Sequence, residues 1–166
     1  MHQILALQQK NLATSISSDE KEKEGFITVR HDFNILNRMN DEQPHIIAKH
    51  QDMMVGYTLC MTEDFGNDIA VLKPMFKKIK EQKPSITNYI VMGQVCIDKA
   101  YQGQGIFRGL YQKMKEELHK KYDLLITEVA ANNTRSLGAH SAIGFKDLLI
   151  FQSDAIKWHL ISWNWE

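Results

Sequence analysis

The stretch IDKAYQGQGIFRGLY (97–111) leaves an apolar run, passes two glycines and enters a helical pattern. Glycines at 103 and 105 let a backbone approach another group closely and adopt positive φ. A helix opening there leaves free N–H groups and a partial positive charge at its start, which suits an anion such as a phosphate. Arg108 falls in the first turn, where a charged donor reinforces that grip.

Outward from this stretch the chain reads as alternating elements. Ile106, Leu110, Met114 and Leu118 predict an amphipathic helix from Gly105 to Tyr122, with Lys120 and Lys121 in its last turn against the dipole. NYIVMGQVCID (88–98) reads as a strand, Gly93 marking a bulge or a splayed edge. LLITEVA (124–130) is a second strand, and NTRSLGAHSAI (133–143) a helix that Gly144 closes. KDLLIFQ (146–152) and AIKWHLISWNW (155–165) form a closing pair of strands.

Upstream, apolar spacings in the first forty residues predict helices, and HIIAKH (45–50) with MMVGYTLCMT (53–62) a hairpin. NDIAVLKPMFKKIKEQ (67–82) reads as a helix that Pro74 starts or kinks. The order predicts one α/β domain over 1–166, with a mixed central sheet flanked by helices.

Composition narrows the function classes. Lys plus Arg equals Asp plus Glu at 20 each, so no net field draws the chain to nucleic acid or to acidic membranes. No apolar run approaches the roughly 18 residues of a membrane span, and the first residues do not read as a secretory signal. Cys60 and Cys96 lie in apolar runs without metal-ligand spacing and read as reduced core residues of a cytoplasmic protein. SSDEKEKE (17–24), with Asp19, Glu20, Glu22 and Glu24, reads as a solvated loop, although it could attract a cationic amine. Trp158, Trp163 and Trp165 read as core or as a homodimer interface.

Three readings of the glycines compete. Gly103-x-Gly105-x-x-x-Gly109 resembles a dinucleotide fingerprint, and Glu128 follows roughly twenty residues on, where a ribose-binding acid is expected. A two-half dinucleotide-binding sheet does not fit into the remainder of the chain, however. A P-loop fails because no Gly-Lys-Ser/Thr closes the turn. A purely structural turn is the third possibility at this level.

A fourth comparison covers more residues. Gln102, Gly103, Gln104, Gly105, Ile106 and Phe107 resemble the pyrophosphate loop of the GNAT superfamily of N-acetyltransferases, where a strand ends in Gln/Arg-x-x-Gly-x-Gly/Ala and opens a helix. The superfamily then carries an Asn, a small residue three on, an aromatic or polar residue seven on, and Gly-Phe beyond. Asn133, Ser136, His140, Gly144 and Phe145 fall in those places. The likeness is specific from Val91 to Phe151 and topological before that. Phe107 stands where the superfamily has Gly or Ala, Gln102 where it often has Arg, and His140 where many members have Tyr.

The resemblance implies splayed parallel strands at 88–98 and 124–130, with acetyl-CoA as acetyl donor lying between them. It implies cofactor contacts from backbone at Val95, Cys96 and Ile97, from Gln102 to Arg108, and from Asn133 and Ser136. It implies direct transfer of the acetyl group to a primary amine on a small molecule or peptide. His140 is then the candidate general acid for the departing thiolate, since an imidazole with a pKa of roughly 6.5 carries protons near neutrality; a hydrogen-bonding, space-filling role is its alternative. Glu128 is the candidate base if it faces the cleft, or an inter-element salt bridge if it does not. A degenerate domain that binds acyl-CoA without turnover, and an NAD(P)-dependent oxidoreductase, are the competing functions.

Overall fold

The computed structural model describes residues 1–12, 15, 17, 27 and 29–165; most of the acidic stretch 17–24 lies outside them. Helix α1 is His2–Asn11 and α2 is Phe33–Glu42, the latter capped by Asp32, whose carboxylate accepts from Ile35 N at 2.9 Å. Strands β1 (Ile46–His50) and β2 (Met53–Met61) form the predicted hairpin, turning at Gln51 with φ of 54°. Helix α3 (Lys73–Gln82) starts at Pro74, which occupies the first turn, where its missing N–H costs nothing. A 3₁₀ turn, Ala70–Leu72, takes the place of helix before it.

Strand β3 (Tyr89–Ile97), helix α4 (Ile106–Leu118), strand β4 (Leu124–Ala130) and helix α5 (Thr134–Ser141) follow, then β5 (Lys146–Ser153) and β6 (Ile156–Asn164). The six strands lie in the order β1-β2-β3-β4-β6-β5. Only β3 and β4 are parallel among these neighbours; the rest pair antiparallel. One parallel pair between antiparallel wings is not a doubly wound sheet, and the dinucleotide-fold reading falls with it.

The sheet carries a core on each face. Alternate side chains of one strand go to opposite sides: Val91 and Ile126 pack with α1, α2 and α3, while Ile90 and Leu125 pack with α4 and Phe145. Trp158 and Trp165 are buried in these cores. Helix α4 stops earlier than its apolar spacing suggests. Lys121 N and Tyr122 N both return to Leu118 O, at 2.9 and 3.0 Å, in a turn that drops Tyr122 into the core. Lys120 and Lys121 therefore lie past the helix, and Lys115 is the base of its last turn.

Candidate active site

The site originates in a short pairing. β3 and β4 share only Tyr89↔Leu124, Ile90↔Leu125 and Val91↔Ile126. Beyond Val91, β3 stays with β2 to Ile97, while β4 stays with β6 to Ala130. The two strands thus diverge, leaving backbone of β3 without a strand partner on its β4 side.

A cavity of about 370 Å³ opens at this divergence. Val95, Cys96 and Ile97 reach it from β3; Gln102, Gly103, Gly105, Ile106, Phe107 and Arg108 from the loop and α4; Asn133 and Ser136 from α5. Gln104 alone of the predicted cofactor residues is elsewhere: its side chain donates to Ala100 O at 3.2 Å. Tyr101 and Arg135 also line the cavity, and no motif marked them. Tyr101 shares a 2.8 Å hydrogen bond with His50 Nδ1 on β1, and Arg135 donates to Gln102 Oε1 at 3.1 Å.

The loop is shaped for an anion. Gly103 and Gly105 have φ of 74° and 79°, and a Cβ at either would meet no atom within 4 Å. Conformation, not crowding, requires glycine here, and the space above the loop is open. Among the described residues, the N–H groups from Gly103 to Arg108 donate to no backbone carbonyl; the first helical bond is Gly109 N to Gly105 O at 3.0 Å. Asn133 caps α5, accepting from Ser136 N at 3.3 Å.

A smaller recess of about 80 Å³ adjoins this cavity, sharing Ile27, Val95, Asn133 and Ser136 with it. Glu128 projects from β4 into the recess, and burial pushes its carboxyl up to about 8. No hydrogen bond or ion pair engages it among the described residues.

His140 borders the same recess and is 1% exposed. Its Nδ1 lies 2.7 Å from Ser136 O, so that nitrogen carries the proton; Nε2 then accepts from the Tyr111 hydroxyl at 2.6 Å. Phe107, Tyr111 and Phe145 surround the ring edge-on or tilted, and burial holds the imidazole down to about 4. In this arrangement the expected general acid is neutral, with its one proton committed to a carbonyl. Phe107, the bulky departure from the loop pattern, turns its ring into this cluster, 5.0 Å from Tyr111. Cys96 is a buried thiol pushed up to about 12, unsuited to act as a nucleophile.

The comparisons with known proteins agree with this architecture. No curated relative matches the sequence. Among solved structures, the ribosomal-protein-S18-alanine N-acetyltransferase from Escherichia coli matches at TM-score 0.63 and 13% identity, over 98% of this chain and 86% of that one. The protein smu.2055 from Streptococcus mutans UA159 matches at TM-score 0.66 and 14% identity, over 99% and 93%. The NatC complex bound to Gag peptide and CoA matches at TM-score 0.60 and 12% identity, over 93% and 96%. At such identities the likeness is one of fold. The profile of the acetyltransferase (GNAT) family, by contrast, matches residues 8–145, spanning both the glycine loop and the Asn133 helix, and the chain belongs to that family.

Proposed function

We propose that this protein transfers the acetyl group of acetyl-CoA to a primary amine by direct attack, with both substrates bound at once. The observation that carries the reading is the cavity at the β3–β4 divergence, which has an open N–H loop at one end and adjoins the recess that the Glu128 carboxyl enters. The residues present fit the cosubstrate. The N–H groups of Gly103 to Arg108 would hold the pyrophosphate, with Arg108 adding charge. The β4-side edge of β3 at Val95 to Ile97, which has no strand partner, would hold the pantetheine amides as a strand would. Acetyl-CoA supplies an activated acyl group when bound.

The chain's own residues then do three things. Glu128 takes the proton of the incoming ammonium, a task suited to a carboxyl near 8. A backbone N–H beside the Gly93 bulge would donate to the charge that develops on the acyl oxygen. His140 ties α4 to α5 through Tyr111 and Ser136 and holds the two helix starts in place, a positioning role in this reading. The acceptor is a primary amine; a peptide N-terminus is the first class to try, because two of the similar folds are a ribosomal-protein-S18-alanine N-acetyltransferase and the NatC complex bound to Gag peptide.

Thermal-shift titration with acetyl-CoA, CoA and NADPH tests the binding half. A ligand at a hundred times its dissociation constant adds about 2.7 kcal/mol to stability. The reading expects shifts with acetyl-CoA and CoA and none with NADPH. Binding of acetyl-CoA without transfer to any amine would leave the ligand-binding module in its place.

A further inference from the structure

One irregularity in β3 changes which residues face the recess beside Glu128. The β2–β3 register passes from Cys60↔Met92 to Leu59↔Gln94, so Gly93 is the extra residue of a bulge. Side-chain parity flips there. Ile90 and Met92 pack on the α4 face and Val91 on the other, yet beyond the bulge Cys96 joins the core of Val91. Gln94 is thereby turned toward Tyr57 and lines the recess with Glu128. Met61 underpins the arrangement: a Cβ on residue 93 would run into its terminal methyl.

The Gln94 carboxamide is buried and fully directed. Its Oε1 accepts from the Tyr57 hydroxyl at 2.6 Å, and its Nε2 donates to Val29 O at 2.7 Å. The Val29 carbonyl can only accept, so the amide NH2 must face it, and Oε1 is left to take the Tyr57 hydroxyl proton. Val29 belongs to a strap whose described residues, Ile27 and Val29 to His31, make one isolated bridge, Leu12 to Ile27. Ile27 N donates to Asn11 O at 3.0 Å, and the Gln8 carboxamide grips both N and O of His31, each at 2.9 Å. Among these fasteners Gln94 is the one supplied by the sheet. Ile27 and Val29 line the recess that Glu128 enters.

We propose that Gln94, held between the Tyr57 hydroxyl and the Val29 carbonyl, is a positioning residue for the amine acceptor. It holds the Val29 strap against β3 and so sets the width of the recess beside the base. The inference rests on the acetyl-transfer reading above. Its signature is selective: affinity for the amine depends on the clamp, whereas the pyrophosphate loop at the start of α4 does not touch it.

The experiment measures initial rates with acetyl-CoA and a peptide bearing a free N-terminal amine. Wild type is read first, and absence of transfer there would count against the proposed function before any variant is considered. Tyr57→Phe and the double variant Tyr57→Phe/Gln94→Met keep side-chain volume and leave no orphaned hydroxyl. The double variant is expected to raise KM for the amine about tenfold, with KM for acetyl-CoA within twofold, and Tyr57→Phe to fall between. Hydrogen exchange gives a readout independent of activity: amides of Val29 to His31 should exchange at least tenfold faster in the double variant, with those of β4 unchanged. Equal changes in both KM values, or unchanged exchange in the strap, would overturn the proposal.

Discussion

The Tyr111 hydroxyl meets His140 Nε2 at 2.6 Å, joining the helix that opens at the glycine loop to the helix that Asn133 caps. Both residues are almost wholly buried, and the Tyr111 phenol is driven well above its ordinary range by that burial, so it donates and does not ionise. Tyr111→Phe leaves Nε2 without a donor, and the loss should be about 1–2 kcal/mol. Urea denaturation checks the figure. Because the two helix starts shift together, acetyl-CoA binding should weaken in the same variant.

Glu128→Gln separates the proposed base from the scaffold. Transfer should fall by about 10²–10⁴-fold, the usual range for a lost general base, with the acetyl-CoA thermal shift retained. In wild type, kcat/KM for the amine should rise with pH through an apparent pKa of about 8. The part of that limb owed to Glu128 should vanish in Glu128→Gln, leaving the ionisation of the amine itself, at about 7.7–8.0 for a peptide N-terminus. No second limb assignable to His140 is expected near 6.5, because its imidazole stays neutral down to about 4.

The same carboxyl affects stability. Its folded-state pKa is raised to about 8 from an unfolded value near 4.5, so the folded chain binds the extra proton between those values. Stability from this group is present below about 4.5 and is lost as pH rises toward 8. Glu128→Gln should therefore stabilise the protein at pH 8 relative to wild type, by about 1–2 kcal/mol after solvent screening in the half-open recess. Melting curves at pH 5 and pH 8 should show the difference growing with pH.

Acid should act on three other sites. Burial lowers His31, His45 and His140 to about 4. Each is neutral when folded and protonates near 6.5 when unfolded, so stability is full above that value and declines as pH falls toward 4. The slope should reach about 1.4 kcal/mol per pH unit for each group. Replacing His31, whose buried Nε2 has no partner among the described residues, by Gln should reduce the slope, measured by denaturation between pH 7 and pH 4.

Gly105→Ala addresses the loop. Nothing crowds the added methyl, so the cost comes from holding alanine at a φ of 79°. Relaxation of that strain should displace the N–H groups and weaken CoA binding by roughly tenfold, with little change in the fold. Isothermal titration with CoA gives the answer directly.

Much of the fold was legible because the second half follows local rules. Strand β4 matches its apolar run residue for residue, and the Gly93 bulge was marked by a glycine in a strand. The shape of the glycine loop and of the α5 start was legible for a similar reason: loop glycines, a helix start and a cap are sequence-local devices. What could not be read depends on distant partners. Tyr111 lies 29 residues from His140, and only the packed core reveals that His140 has no proton for the cleft. Gln94 and Val29 are 65 residues apart, and neither carries a motif. The overlong α4 arose because Tyr122 continues the apolar spacing while serving a turn.

The most direct test is release of free CoA thiol from acetyl-CoA on addition of a mixture of peptides with free N-terminal amines, at pH 8, with wild type and Glu128→Gln side by side. Amine-dependent release by wild type, reduced at least a hundredfold in the variant, is the predicted result. A wild-type protein that binds acetyl-CoA yet releases thiol no faster with amine, or a variant as fast as wild type, would contradict the account.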